Sequence, residues 1–438
     1  MQATTRASGQ HFGGFPDGLA LRASRVPEVE GVKARYSHVV AEGASATGGG
    51  TRAVRRASVH ACTPEQVAAD LAEALQPEPT SLVVAFVSSA LDPTAVAATM
   101  AARMAPARVV GCTSIGEIAG PVASHTAVAV VLDGVRVRYG VGLAAELSRG
   151  PIQAGRAAVS AAARAMNLVA EDLDPARHVA ITLVDGRSPV AEGFCLGTAA
   201  TAPRIGFVGG SASDSHDVPR GNGPARDPQT AAVFHDGVAL RDAGVVVVLA
   251  PQGSFEVITS EHMIPTPLRV VVTRADPTRR LVLELDGYPA ARRYAEVIRA
   301  AGGNGPLDNA LAARFPFAIY VGGRPYVRSV SGVAGTELRL AAAVDEGAVL
   351  RIMRPGDLVA QTRSALAGAS SRLGQLDAVL AFSCLGRHLE AQSRGASAAL
   401  DDVYASLPVC GFHSFGEQSG PLLVNHTLAA LALGGGDA

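Results

Sequence analysis

The feature that most restricts the folds open to this chain is a stretch that occurs twice. Residues 108–121 and 408–421 share Gly111, Ser114, Gly116, Glu117, Gly120 and Pro121 with Gly411, Ser414, Gly416, Glu417, Gly420 and Pro421. The flanks recur as well. A run of strand type precedes each copy (84–88 and 380–384), an Ala-rich segment of helix length lies between, and a return run opening His-Thr (His125, His426) follows. One strand-helix-strand-strand unit has therefore been used at both ends of the chain.

Within each copy a β-rich run reaches a glycine, and small polar residues and more glycines lead to a Gly-Pro turn. Glycines at a strand end permit positive φ and close backbone approach, so successive N–H groups can point at one anionic or polar group. The plainer account is that these glycines only make turns and that Glu117 and Glu417 are solvated or pair with an arginine. A degenerate third version runs from the strand at 178–184, through Asp185-Gly186 and a helical segment at 189–201, to a Gly-rich crossing at 204–214 and the strand 244–249.

The 438 residues, 48% hydrophobic and 18% charged, are ample for sizeable cores. A net charge of -1, no Trp and 4% aromatics offer neither a global field nor a stacking platform for nucleic acid. No run approaches the roughly 20 apolar residues of a membrane span, and the N-terminus lacks an apolar signal region, so a cytoplasmic protein without membrane insertion is expected. Five scattered cysteines fit reduced thiols better than a disulfide framework.

Residues 1–52, rich in Gly and without a sustained period, read as a flexible tail. The following pattern predicts an α/β fold, with mixed sheets flanked by helices and repeated strand-helix-strand-strand units in two domains, 53–250 and 253–433. Thr63 before Pro64 is an N-cap signal. The Gly- and Pro-rich segment 215–229 reads as a mobile flap or as disorder.

Several of these stretches carry a resemblance. Residues 84–88, 111–117 and 206–214 resemble the N-terminal domain of the FIST-domain family, and residues 285–290, 382–384, Arg387, 411–417 and 425–427 resemble its C-terminal domain. The likeness covers roughly 53–433. It implies a sensory, non-enzymatic protein that binds a small ligand such as an amino acid. Too little chain lies outside 53–433 for an output domain, so a separate effector, such as a histidine kinase or cyclase, is expected.

A zwitterionic ligand needs N–H groups or an Arg fork for its carboxylate and an acid for its ammonium. Arg387 and the glycine crossings supply the first, and Glu117, Glu417, Asp185 and Asp214 the second. The candidate ligand-binding residues are Thr113, Ser114, Glu117, Asp185, Gly209, Gly210, Ser211, Asp214, Cys384, Arg387, His413, Ser414 and Glu417. Some members of the family are similar in architecture to haem-binding nitric oxide sensors that act on a histidine kinase, which makes His413 and His426 candidate haem ligands. Cys384 with His388, and Cys410 with His413, have spacings near those of zinc sites, but strand alternation does not make all four converge. A thiol-dependent enzyme would use Cys384 as nucleophile and His388 or His413 as base.

Overall fold

Three parallel strand pairs organise the structure, a computed structural model describing residues 39–42, 53–119, 127–214 and 230–435. They are Leu82–Ser88 with Arg108–Ser114, Val179–Val184 with Gly206–Ser211, and Leu376–Cys384 with Val409–Ser414. The first strand of each pair is almost wholly apolar, as a strand buried on both faces must be.

Each first strand also pairs antiparallel with a return strand: Ala127–Leu132, Gly244–Pro251 and Thr427–Gly434 respectively. Each return strand pairs in turn with a leading strand, Val54–Val59, Val137–Ala144 or Phe255–Glu261. The chain thus contains three copies of one unit, and the degenerate version is the middle one. Val39–Glu42, inside the segment read as a tail, extends the first sheet by pairing with Val54–Val59.

The copies exchange strands. Val233–His235 of the second repeat pairs with Arg108–Ser114 of the first, Glu417–Ser419 of the third with Gly206–Ser211 of the second, and Glu117–Ile118 of the first with Val409–Ser414 of the third. The exchange closes a ring. Inner faces of all three sheets meet in one core, where Phe86, Phe382 and Phe412 pack with ring centroids 4.7 to 5.9 Å apart. Outer faces are covered by helices: Pro64–Leu75 and Pro93–Met104, then Pro151–Ala165 and Ala191–Thr201, then Leu358–Leu373, Leu385–Ser393 and Ser397–Ala405. Thr63 caps the first of these by accepting from the Gln66 N–H, as its position before Pro64 predicts.

Gly111, Gly209 and Gly411 occupy equivalent places, each opposite the first strand of its pair. A Cβ there would lie 2.0, 2.0 and 1.8 Å from the carbonyl oxygens of Ala85, Thr182 and Ala381. Close approach, and not positive φ, is what these glycines provide; none of the three has a left-handed φ.

The third repeat is interrupted between its leading strand and the helix Leu358–Leu373. An eight-stranded sheet containing Ile264–Asp276, Leu281–Leu285, Phe317–Val321 and Val349–Arg354 is inserted there, with the helices Ala290–Ala300 and Asn309–Arg314 on one face. The chain leaves and returns at one point, since a Cβ on Gly356 would lie 2.2 Å from the His262 carbonyl oxygen. From Ser37 onward the described residues belong to one compact unit. The rest of 1–52, the segment 215–229, and Gly120, Pro121 and His125 lie outside the described residues.

Candidate functional site

The strand exchange gathers the motif copies at one pole of the ring, where the parallel strands end. Thr113, Ser211 and His413 are equivalent, and their N–H groups donate to the carbonyls of Ala232, Gly416 and Gly116 at 3.0, 2.8 and 2.8 Å. Ser213 ties the centre together. Its N–H donates to the Thr113 carbonyl (3.0 Å), its hydroxyl donates to the His413 carbonyl (2.7 Å), and the same hydroxyl accepts from the Ile115 N–H (3.1 Å). The two full copies therefore meet by direct strand pairing, with Glu117 opposite Phe412, while Glu417 stands opposite Gly210 of the middle repeat.

Both glutamates are buried and neither is solvated. The Ser114 hydroxyl donates to Glu117; the Ser414 hydroxyl donates to Glu417 at 2.5 Å, and the Thr427 hydroxyl donates to the other Glu417 oxygen at 2.7 Å. Burial pushes both carboxyls up to about 8, partly offset by these hydrogen bonds. In the second repeat Ala212 stands for the serine, and Val233, opposite Cys112, stands for the glutamate. Hydroxyl and carboxyl are lost together, as expected of a pair that satisfies itself inside a core.

Arg387, also fully buried, does not pair with Glu417. Its Nη2 donates to the Thr362 hydroxyl (2.6 Å) and its Nη1 to His262 Nδ1 (3.3 Å). Because Nδ1 accepts, His262 Nε2 carries the proton it donates to Glu390 (2.7 Å). Burial pushes the His262 pKa down to about 4. Burial alone would raise Glu390, but His262 and His426 hold its carboxyl below the usual carboxylate range, and Arg394 pairs with its other oxygen at 2.6 Å.

Burial, with Glu417 nearby, pushes the Cys384 thiol pKa up. This burial works against the thiolate that a thiol-dependent reaction at Cys384 would need. Burial, then the neighbouring His388 and Arg387, hold His413 well below the ordinary imidazole range. Its ring lies 4.3 Å from that of His388, and a Cβ on Gly116 would approach its Cδ2 to 3.0 Å. His426 has a φ of 57° and is pinned by Ser329 at 2.8 Å, with Gly386 against its ring. Neither histidine has the open approach of an axial haem ligand, so these residues do not fit haem. Among the described residues no three His, Cys, Asp or Glu side chains converge on a metal position.

Asp185 accepts from the N–H groups of Arg187 (2.8 Å) and Asp242 (2.7 Å), and burial raises its pKa. Asp214 pairs with Arg187 and accepts from the N–H groups of Thr230 and Ala231, each at 2.9 Å. Gly210 approaches Phe412, Phe382 and Ser414 at about 3 Å from where its Cβ would be. Ser211 Oγ, Arg387 Nε and His413 Nδ1 are buried without a hydrogen-bond partner among the described residues, as are Arg280 Nε, Arg314 Nε, Arg328 Nε and Ser397 Oγ away from the motif, whereas His426 Nε2 faces Glu390 at 3.6 Å.

Sequence reasoning missed Ser213, although aligning the middle repeat with Ile115 and Phe415 would have singled it out. It also missed His262, Thr362 and Glu390, for which no local pattern signals a meeting with Arg387.

The geometry can be set beside known proteins. The FIST N domain matches residues 81–288 and the FIST C domain residues 290–420. No curated protein matches the chain. Solved structures that align with it include two cyanuric acid hydrolases. One is the cyanuric acid hydrolase from A. caulinodans, 11% identical with a TM-score of 0.37, covering 88% of this chain and 99% of that one. The other, described as a cyanuric acid hydrolase and an evolutionary innovation by structural concatenation, is 12% identical with a TM-score of 0.33, covering 87% and 98%. FIST domains are sensory domains of signal transduction that bind small ligands. With both domains matched in order over most of its length, this chain belongs to the FIST-domain family.

Proposed function

We propose that the protein is a non-enzymatic sensor that binds an amino acid or similar zwitterion at the motif pole and acts on a separate effector, such as a histidine kinase or cyclase. The observation that carries this reading is the set of unpartnered buried polar atoms on Ser211, Arg387 and His413. Buried polar groups in native proteins are almost always satisfied by protein, water or ligand. These three atoms lie at or just beyond the ends of the parallel strands, where ligands of α/β sheets gather.

A thermal-shift screen of the common amino acids tests the ligand class. One amino acid should raise Tm in a concentration-dependent way, and Ser211→Ala should weaken the response at least fivefold with little change in the unliganded Tm. A flat response across the panel would sink the amino-acid reading. Arg387→Ala should lower the unliganded stability by about 1–3 kcal/mol, because Thr362 and His262 lose a buried partner. Urea denaturation of the unliganded variant measures that loss. The effector reading fails if affinity capture, with and without the stabilising amino acid, recovers no signalling protein.

A further inference from the structure

The inserted sheet has one covered face and one open face. Along Ile264–Asp276 and Val349–Arg354, the side chains of Val270, Val272, Leu350 and Ile352 turn into the core beneath the helices Ala290–Ala300 and Asn309–Arg314. Strand alternation sends Arg269, Val271, Val349 and Arg351 to the other side. There Val271 and Val349 stand directly opposite each other, both exposed, Val349 by 52%. Arg269 and Arg351 are direct cross-strand partners as well. Like charges in that relation repel each other. The Arg351 guanidinium lies over the exposed ring of Tyr320, 4.5 Å from its centroid, and its Nη1 donates to the Tyr320 hydroxyl at 3.4 Å. Among the described residues neither arginine has a carboxylate within ion-pair reach, whereas Arg274, on the same strand as Arg269, pairs with Glu284 at 3.1 Å.

We propose that this open face docks an acidic segment of the effector protein, one in which carboxylates alternate with aliphatic side chains. The inference rests on the reading of a separate effector and adds where that effector touches this chain. Two arginines held opposite each other without a counter-ion make a position where an incoming carboxylate relieves repulsion and forms charge-assisted hydrogen bonds. A basic or neutral partner would leave the pair unrelieved. The stack on Tyr320 preorganises one guanidinium before binding, and Tyr and Arg are among the side chains that carry most binding energy in protein interfaces. Val271 and Val349 supply the apolar contact beside them. Each valine lies two residues from its arginine, the spacing of side chains on one face of an extended partner.

The probe is a fluorescein-labelled peptide of alternating glutamate and leucine, read by anisotropy on the full chain, with a peptide of alternating lysine and leucine as control. The acidic peptide should bind, less tightly as salt is added, and the basic one at least tenfold more weakly. Arg269→Glu turns the repelling pair into an internal ion pair. It should therefore bind the acidic peptide at least tenfold more weakly while melting no lower than wild type, whereas a merely structural role would move stability and binding together. No binding of the acidic peptide to wild type, or equal binding to wild type and Arg269→Glu, overturns the docking face. So does a dimer of the full chain that Arg269→Glu dissociates, which assigns the face to a second copy. Recruitment to phosphatidylserine vesicles without peptide binding assigns it to a membrane and overturns the protein partner. The effector reading fails separately. A signalling protein captured equally by wild type and Arg269→Glu leaves that reading standing and removes only this face, whereas peptide binding with no signalling protein captured removes the effector and leaves a face for acidic segments.

Discussion

Two buried glutamates that differ from surface acids in protonation give the protein an unusual pH dependence. Glu117 and Glu417 are pushed from 4.5 to about 8, so between those values the folded state holds protons that the unfolded state has released. Their contribution is fully present below pH 4.5 and is lost as pH rises toward 8, at about 1.4 kcal/mol per pH unit for each group. Glu417→Gln keeps a neutral side chain of the same shape at every pH. Its melting temperature should fall less than that of wild type between pH 5 and 8, and parallel curves would show that Glu417 does not titrate in this window. Duplication made Ser114, Glu117, Ser414 and Glu417 legible from the sequence. It did not reveal that each serine serves its own glutamate, because that depends on which face of a two- or three-residue strand turns inward. The partners of Arg387 were hidden for another reason: Thr362 and His262 come from different elements and share no spacing with it.

Among the elements, helix limits were the most legible part of the fold. Thr63 before Pro64 marks where Pro64–Leu75 begins, and the segment read as helical at 189–201 becomes Ala191–Thr201. The exchanged strands were not legible. Glu117–Ile118 has only two residues, and what makes it a strand is Gly411 and Phe412, far along the chain. The inserted sheet was equally hidden, since its strands look like any others and only the pairing of Phe255–Glu261 with Thr427–Gly434 shows where the third repeat resumes. The recurring glycines provide a test at this scale. Gly411→Ala sets a methyl group 1.8 Å from the Ala381 carbonyl oxygen, which the parallel pair can accommodate only by separating. Overpacking of this kind costs typically 1–3 kcal/mol and more where backbone is the obstacle. Chemical denaturation should show a loss of at least that size, and wild-type stability would mean that the strands can move apart freely.

For the whole molecule, the exchange makes the repeats interdependent. A fragment of residues 53–251 keeps the strand that the second repeat lends to the first, but it lacks the third-repeat strand that completes Gly206–Ser211, and its own Glu117–Ile118 has nowhere to dock. Unpaired edges of this kind promote aggregation. Expressed alone, that fragment should be insoluble or aggregated, and coexpression with residues 253–435 should recover a soluble complex of the two. A monomeric, cooperatively folding fragment would contradict the ring. The inserted sheet obeys different rules because its two ends meet at His262 and Gly356. An excursion that starts and finishes at one point is thermodynamically a closed loop, and doubling the length of such a loop costs only about 0.6 kcal/mol in chain entropy. Material can be added to that excursion, away from the junction and from the Arg280, Arg328, Ser329 and Ala343 contacts with the ring, without altering the register of any strand in the ring. The insertion is therefore the place where proteins built on this ring are free to diverge in size.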